Sequence, residues 1–154
     1  MKFLRHYTFT AFLFLAFGWA QSYPPPTTLV TIPSAGTLVR GSYAMQMRIQ
    51  KDGGLTTSLR AGLTDRFQFG LSFGSANLIG DDSLIWYPRP EAHLKYLLID
   101  ETESVPGVSM GLDTQGMGSF NSADSLMRYD VKAMGFFMAA SKNWVTPLGN
   151  LGIH

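Results

Sequence analysis

Three consecutive stretches near the front of the chain alternate apolar and polar side chains with a period of two residues. They run from Val39 to Gln50, from Leu55 to Leu63 and from Phe67 to Gly74. A period of two places the two phases on opposite faces of a β-strand. In all three stretches one face is uncharged and mainly apolar, whereas the other carries small or polar residues and every arginine. This pattern fits a sheet with one face toward lipid and the other toward water.

The first residues are typical of a secretory signal. Lys2 and Arg5 supply a positive start, and residues 7–17 form an apolar run that is too short for a transmembrane helix. Gly18-Trp19-Ala20 then places small residues at the usual cleavage positions. We therefore predict a cleaved signal peptide over residues 1–20, the alternative being an uncleaved anchor helix.

The composition excludes several classes of protein. The chain has no cysteine, which excludes a disulfide scaffold, a thiolate metal site, a thiol nucleophile and a lipoprotein anchor. Removal of Lys2 and Arg5 changes 12 basic and 11 acidic residues to 10 and 11, a net charge of −1. Such a balance predicts no nucleic-acid partner. Sixteen glycines, 13% aromatic residues and only 15% charged residues favour a β-rich fold.

The remaining chain is predicted to form a tether and then a sheet. Residues 21–35 form a Pro-rich tether, because Pro24-Pro25-Pro26 favours polyproline II and cannot join a sheet interior. Residues 36–154 are predicted to be all-β, an antiparallel transmembrane β-barrel that is incomplete. We expect about seven strands, near residues 37–50, 55–63, 67–75, 91–99, 107–115, 129–143 and 150–154.

The sixth of these strands has the least regular pattern, since both of its phases contain apolar residues. We assign its apolar phase to Val131, Ala133, Phe137 and Ala139, because Lys132 and Lys142 share the other phase. The seventh strand has only its opening residues, which predicts the N-terminal part of a longer barrel with an even strand number. An open edge within hydrocarbon leaves backbone groups unpaired. The alternative is a small protein that closes its barrel by oligomerising.

The connections between the predicted strands differ in length. Those at 64–66, 100–104 and 145–149 are short, whereas those at 76–90 and 116–128 are long. Outer-membrane barrels have short periplasmic turns and long external loops, which predicts the orientation of this sheet. Aromatic residues near the strand ends are predicted to form interfacial girdles: Tyr43, Phe67, Phe73, Trp86, Tyr87, Tyr129 and Trp144.

One short run has a family resemblance. Between Thr31 and Tyr43, the step Pro33-Ser34-Ala35 precedes Gly41-Ser42 at the opening of the first strand. This run resembles the N-terminal signature of the YjbH-like outer-membrane barrels. The later runs Arg89-Pro90-Glu91, Ala140-Ser141-Lys142-Asn143 and Leu148-Gly149-Asn150 look like those of bacterial barrel proteins of this general kind. The resemblance implies a role in exopolysaccharide or capsule production and export across the outer membrane, and it carries over no catalytic residue.

The charged residues of the polar phase predict a polar ladder that faces the lumen of the barrel. Its members are Arg40, Arg48, Arg60, Glu91, His93, Lys95 and Asp113. If the fourth and fifth strands pair through the 100–104 turn, Asp113 lies opposite His93. We expect a structural network of ion pairs between the arginines and the two carboxylates, although an acid–base site or contacts with ions and sugars fit the same residue types. The arginines would also steer anionic sugars or lipopolysaccharide groups.

The sequence contains no convincing catalytic or cofactor motif. No serine lies in a nucleophile elbow and no glycine-rich phosphate loop follows a strand. Asp113, Asn121 and Asp124 do not have the spacing of an EF-hand loop. We therefore predict no catalytic residues, no cofactor and no metal.

These features predict a non-enzymatic protein of the outer membrane, either a channel or an envelope-assembly component. Its expected partners are outer-membrane lipid, and polysaccharide or other envelope proteins. Three alternatives remain. A generic porin-like solute pore would have an open polar lumen. A soluble periplasmic β-sandwich or lipocalin-like binder would bury the apolar face. A barrel enzyme that acts on lipids or glycans would need a nucleophile and a base near the rim.

Overall fold

The computed structural model describes residues 25–122, 127–131, 133–147 and 149–154, and its fold is all-β. The predicted signal peptide and residues 21–24 of the predicted tether lie outside the described residues. Among the described residues, no helix is long and apolar enough to cross a membrane. The strands are β1 (Thr28–Leu29), β2 (Ile32–Pro33), β3 (Tyr43–Ile49), β4 (Leu55–Gly62), β5 (Phe67–Ala76), β6 (Ile85–Trp86), β7 (Glu91–Ile99), β8 (Gly107–Asp113), β9 (Met117–Asn121), β10 (Arg128–Val131), β11 (Gly135–Thr146) and β12 (Gly149–Ile153).

One antiparallel sheet dominates the fold and curls into a half-barrel. Its strands follow the order β3-β4-β5-β7-β8-β11-β12, and β6 pairs with the end of β5. Strands that are neighbours in the sheet therefore also follow one another along the chain, except where β6 and the β9–β10 hairpin are inserted in the connections. Two further sheets, β1–β2 and β9–β10, each have two strands.

The connections alternate between the two ends of the half-barrel. One end, called the short-turn end, carries the connections 63–66 and 100–106 and the turn at Pro147. The opposite, long-loop end carries the connections 77–90 and 114–134, together with a short 3₁₀ turn at Lys51–Gly53. The predicted alternation of short and long connections is therefore confirmed.

The convex face of the sheet is apolar and exposed. Met45, Leu59 and Leu71 are direct cross-strand neighbours at its centre, and all three are exposed. Phe136 is 83% exposed on β11, and it pairs with Leu112 of β8. Further exposed members are Tyr43, Met47, Ile49, Phe73, Tyr96, Met110 and Met138. A sheet in water normally buries such a face against a second layer.

The concave face is polar and largely buried. Lys95 and Gln68 are both 0% exposed, and they are direct neighbours on β7 and β5. Six other polar residues of this face are also buried, namely Thr56, Ser72, Glu91, His93, Ser109 and Ser141. The polar phase predicted from the sequence for β4, β5, β7 and β8 therefore lies inside the curve of the sheet, and the apolar phase lies outside it.

Two predicted strand boundaries are wrong. The first strand begins at Tyr43 rather than near residue 37. Gly41 has a φ of +78°, and the N–H of Ser42 donates to the carbonyl of Val39 at 3.0 Å. This positive φ favours glycine and closes a turn before the strand can start. The predicted strand 129–143 is two strands, β10 and β11, and β10 pairs with β9 inside the connection that was predicted to be a loop.

The predicted phase of β11 is also reversed. Phe136 and Met138 lie on the convex face, whereas Phe137 and Ala139 point inward. Both phases are apolar here, so the register is set by the neighbouring strand β8, where Met110 pairs with Met138 and Gly111 pairs with Phe137. A slip of one residue would turn every side chain of β11 to the other face. Lys132, which guided the assignment, lies outside the described residues.

Candidate functional site

The middle of the concave face holds a histidine–aspartate pair. His93 on β7 and Asp113 on β8 are direct cross-strand partners, and His93 Nδ1 lies 3.1 Å from Asp113 Oδ2. The backbone N–H of Gln115 donates to the other carboxylate oxygen at 3.0 Å. The predicted placement of Asp113 opposite His93 is therefore confirmed. Both carboxylate oxygens have a donor, so this negative charge is well satisfied inside the half-barrel.

Two arginines approach the same region from β3 and β4. Arg48 and Arg60 line the cavity that His93 and Asp113 also line. One guanidinium nitrogen of Arg60, Nη2, donates to Gln46 Oε1 at 3.0 Å. Arg48 makes no hydrogen bond or ion pair with another residue in the described part of the chain. The expected ion pairs between the arginines and Glu91 are not formed there.

The cavity has two connected parts. The larger part has a volume of about 180 Å³ and is roofed by the β1–β2 hairpin, through Thr28, Thr31, Ile32 and Pro33. The smaller part, of about 50 Å³, extends along the wall toward Thr56, Ser58 and Ser72. Both parts share Arg48, Arg60, His93, Asp113 and Gln115. This set of residues is called the lumen site below.

Two polar atoms at the lumen site are buried without a hydrogen-bond partner. They are Nε2 of His93 and Nε of Arg60. Buried polar atoms are nearly always paired in folded proteins, because an unpaired one costs about 1–3 kcal/mol. The site therefore offers unused hydrogen-bonding capacity next to an unpaired guanidinium.

An aromatic ring closes one side of the lumen site. Phe137 of β11 lines the larger part of the cavity, and its ring stacks on the His93 ring with centroids 6.2 Å apart. Gly111 of β8 makes room for this ring, since a Cβ at that position would lie 2.4 Å from the Phe137 ring. Gly111 therefore sets the position of the aromatic wall beside the histidine.

Lys95 holds the N-terminal segment against the wall. Its Nζ donates to the backbone carbonyls of Thr27, at 2.7 Å, and Gly36, at 2.6 Å. Both bonds lie in a buried setting, where hydrogen bonds are strong. Lys95 thus belongs to the predicted polar ladder but not to the lumen site, because its ammonium group is used by residues 25–38, called the N-terminal plug below.

Other wall residues add bonds to the N-terminal plug. The N–H of Ala35 donates to Ser141 Oγ at 2.8 Å, and the N–H of Leu38 donates to Gln68 Oε1 at 3.2 Å. Thr37 Oγ1 donates to the carbonyl of Asp65 at the short-turn end, at 3.2 Å. The described part of the predicted tether is thus a packed plug rather than a free linker. The small side chains of the plug let its backbone approach the wall closely. Side chains of the wall then form hydrogen bonds with the backbone polar groups of the plug.

Glu91 belongs to a different cluster, at the long-loop end. Its Oε1 accepts from Tyr129 OH at 3.2 Å and from Arg89 Nε at 3.1 Å. The rings of Tyr129 and Tyr87 meet edge to face with centroids 4.9 Å apart. Both tyrosines are buried, so they do not contribute to an aromatic girdle on the convex face, and that prediction is wrong for them. Gln50 Oε1 accepts from Tyr87 OH at 3.0 Å.

Burial changes the acidity of these two tyrosines. It raises the pKa of Tyr129, and the charge of Glu91 together with the hydrogen bond to it raises that pKa further. Burial likewise raises the pKa of Tyr87 above its ordinary value. Both phenols are protonated donors at neutral pH, as ordinary tyrosines are, and the raised pKa extends this to more alkaline pH.

Arg40 lies apart from the other predicted site residues. It is exposed in the turn before β3, where its backbone N–H donates to Asp65 Oδ1 at 3.3 Å. The positive φ of Gly41 separates this turn from the strand, so the inward phase does not extend back to Arg40. The structure therefore brings together Arg48, Arg60, His93 and Asp113, and it places Arg40, Glu91 and Lys95 elsewhere.

Several contributors were not among the predicted site residues. Gln46 and Gln68 belong to the inward phase of their strands, so the alternation itself was the signal that pointed to them. Gln115 likewise follows Asp113 in the polar phase of the predicted fifth strand, whereas Phe137 lies on the face opposite to the predicted one. Among the described residues, no group of three or more His, Asp or Glu side chains is arranged to hold a metal ion. Comparison with protein-family models, curated proteins and solved structures found no match.

Proposed function

We propose that this chain forms part of the wall of a Gram-negative outer-membrane β-barrel with a non-enzymatic role. The observation that carries the proposal is the inversion of the sheet, whose apolar face is convex and exposed while its polar face is concave and buried. Lipid on the convex side satisfies such a face, whereas water does not. A soluble β-sandwich would place the same side chains between two sheets.

The ends of the convex face support the same proposal. At the short-turn end, Phe67 and Tyr96 form an aromatic pair with centroids 6.5 Å apart, and Trp144 is exposed nearby on the same end of the sheet. At the long-loop end, Phe73 stacks on Trp86 with centroids 5.9 Å apart. Aromatic side chains at both borders of an apolar band are typical of outer-membrane barrels.

Strand lengths and the sheet edges fit a barrel wall. β5, β7 and β11 have ten, nine and twelve residues, and a strand that crosses a bilayer has about 9–11. β3, β4 and β8 are shorter, with seven, eight and seven residues. Within the described residues, β3 and β12 each have a neighbour on one side only. Hydrocarbon does not tolerate an unpaired edge. The proposal therefore requires further strands next to β3 and β12, from this protein or from a second copy.

The orientation follows from the connections and from the plug. We place the short-turn end in the periplasm and the long-loop end outside, as is usual for such barrels. The N-terminal plug leaves the interior past Asp65, at the short-turn end, before it joins β3. A chain exported into the periplasm would enter the barrel from that side.

The content of the interior favours a specialised role over a general pore. Residues 25–38 and the β9–β10 hairpin cover the concave face, and a defined cavity remains between them and the wall. A generic solute pore needs an open polar lumen. Together with the resemblance of residues 31–43 to the YjbH-like barrels, this supports a channel or assembly component for exopolysaccharide export.

Fractionation of cells that carry an epitope tag tests the proposal. The tag is inserted between β9 and β10, within residues 122–127, and a matched variant carries it in the 100–104 turn at the opposite end. We expect both proteins in the outer membrane, with added protease removing only the first tag on intact cells. Release of the protein as a soluble periplasmic species would overturn the proposal, and cleavage of the second tag alone would invert the orientation.

A further inference from the structure

We propose that the lumen site binds one acidic sugar residue, a ring with a carboxylate and neighbouring hydroxyl groups. This inference rests on the proposed function, in which the concave face lines the interior of a barrel. It adds to that function the chemical class of the ligand and the residues that recognise it. The charge, the unpaired polar atoms and the shape of the cavity each favour such a ligand.

The charge of the lumen site favours an anion. Arg48 and Arg60 bring two positive charges, and Asp113 brings one negative charge, which attracts Arg60 and is also hydrogen-bonded by His93 and the N–H of Gln115; one positive charge is left in excess. Arg48 has no hydrogen-bonding or ionic partner in the described part of the chain, and it shares a small cavity with a second guanidinium. Two like charges in a partly desolvated site favour a counter-ion. A carboxylate matches the planar donor fork of a guanidinium.

The unpaired polar atoms favour hydroxyl groups beside that anion. Asp113 accepts from Nδ1 of His93, so in the neutral imidazole Nε2 is an acceptor, and it has no partner. An acceptor next to two cationic donors does not suit an inorganic anion without a proton to give, such as chloride or sulfate. A hydroxyl group on the same molecule as the carboxylate supplies that proton. Nε of Arg60 remains as a further donor.

The shape of the cavity favours a single ring. Its larger part measures about 180 Å³, which is below the roughly 300–1,000 Å³ of pockets for drug-sized ligands. The volume corresponds to about six waters at roughly 30 Å³ each, which is the scale of one monosaccharide. Phe137 lines one side, and Ile32 of the β1–β2 hairpin lines the roof, so an apolar ring face has apolar neighbours. Polar and apolar faces at one small site match the surface of a sugar ring.

Calorimetric titration of the purified full chain in detergent micelles tests this inference, with sodium glucuronate as the probe. Glucose is the neutral probe of matched size, and sodium acetate is the carboxylate without a ring. We expect glucuronate to bind at least tenfold more tightly than either. Arg48→Gln is expected to weaken glucuronate binding at least tenfold. Arg40→Gln, which removes an exposed arginine outside the site, is expected to leave it unchanged.

Each other result overturns the inference. Equal binding of glucose removes the need for an anion, and equal binding of acetate removes the need for a sugar. If Arg40→Gln and Arg48→Gln weaken glucuronate binding equally, the binding depends only on the overall charge of the protein. If Arg48→Gln fails to reach the wild-type circular dichroism spectrum, the imidazole resonances of His93 in the unchanged protein provide the readout. They should shift with glucuronate, and an unchanged Nε2 resonance at saturating probe contradicts the proposal.

The titration is independent of where the protein resides in the cell. If the protein is found in the outer membrane but does not bind glucuronate, the proposed function stands and only this inference is overturned. A soluble protein that binds glucuronate would do the reverse, and the titration would then be made in buffer without detergent.

Discussion

Nδ1 of His93 lies 3.1 Å from Oδ2 of Asp113, its direct partner across the β7–β8 strand pair. This bond fixes the orientation of the imidazole and leaves its Nε2 unpaired at the edge of a cavity. The same carboxylate accepts the N–H of Gln115, through which the chain leaves β8. A single aspartate therefore positions both the histidine and the start of the connection that covers the concave face.

Replacement of this carboxylate should lower the stability of the fold. We expect Asp113→Ala to reduce the free energy of unfolding by about 1–3 kcal/mol, because it leaves a buried imidazole donor and a backbone N–H without their acceptor. Urea unfolding in lipid vesicles, followed by tryptophan fluorescence, measures this quantity. The control is Asp81→Ala, since Asp81 is exposed in the 77–90 connection. Equal losses in the two variants would contradict the prediction.

Removal of the Lys95 ammonium group should release the N-terminal plug. Lys95→Met keeps much of the side-chain volume but loses both bonds to the carbonyls of Thr27 and Gly36. Hydrogen bonds to a charged group contribute about 1.5–3 kcal/mol each. We expect amide exchange in residues 34–38 to accelerate at least tenfold, measured by mass spectrometry, while the β-strands stay protected.

The matched control for the plug is Lys51→Met, because Lys51 is an exposed lysine outside the concave face. Its exchange pattern should equal that of the wild type. If Lys95→Met leaves the exchange of residues 34–38 unchanged, the bonds from Ser141 and Gln68 are sufficient to hold the plug and the role assigned to Lys95 is wrong.

A charge at the centre of the convex face should prevent stable insertion into a bilayer. Leu59 lies midway along β4, between Met45 and Leu71 of the neighbouring strands. We expect Leu59→Arg to cost about 2–4 kcal/mol in a bilayer, the usual cost of arginine at mid-depth. Equilibrium folding into lipid vesicles, read from the mobility shift of the folded form in electrophoresis, checks this.

Leu84→Arg is the control for that experiment, because Leu84 is also exposed but lies in the 77–90 connection outside the long strands. It should fold as the wild type does. Equal behaviour of the two arginine variants would show that the convex face does not contact lipid.

The tyrosine pair at the long-loop end should make stability depend on alkaline pH. Tyrosines of an unfolded chain lose their proton near pH 10, about the ordinary value. Burial and the Glu91 carboxylate raise the pKa of folded Tyr129. The folded state therefore binds more protons, so this contribution is complete below about pH 10 and is lost as the pH rises toward the folded pKa.

In an alkaline titration we expect the absorbance of tyrosinate to show a late phase above about pH 10. Tyr129→Phe should diminish this phase. Tyr129→Phe should also flatten the alkaline fall of the urea midpoint. Tyr43→Phe serves as the control, because Tyr43 is 79% exposed and touches neither Tyr129 nor Glu91. A late phase of the same size in Tyr129→Phe and the wild type would refute the assignment.

Much of the fold could be predicted because one physical pattern dominates it. Over most of β4, β5 and β7 neighbouring residues differ in polarity, so faces and approximate bounds follow from periodicity. The turn between β7 and β8 then brings Asp113 opposite His93, although a bulge between Leu97 and Ile99 sets the final register. Where the pattern fails, the prediction fails too. Phe136 and Phe137 are equally apolar, and only pairing with β8 decides which of them points outward.

The N-terminal plug and the lumen site could not be obtained in the same way. Lys95 contacts a carbonyl 68 residues away in the chain, and Ser141 contacts an amide 106 residues away. Such side chain to backbone bonds leave no periodic trace, because any backbone carbonyl or N–H can serve as the partner. Arg40 was misplaced for a local reason, since the positive φ of Gly41 interrupts a pattern that looks continuous in the sequence.

The sequence by itself determined which face of each regular strand is apolar and which carries the arginines, because alternation at a period of two is a local property of the chain. Only the tertiary structure decided that the apolar face is convex and exposed, since curvature arises from the pairing of all the strands and from what fills their interior. It also decided which four of the seven predicted ladder residues meet at one cavity. Their meeting depends on register between strands and on the plug that roofs them, and neither is encoded in any single strand.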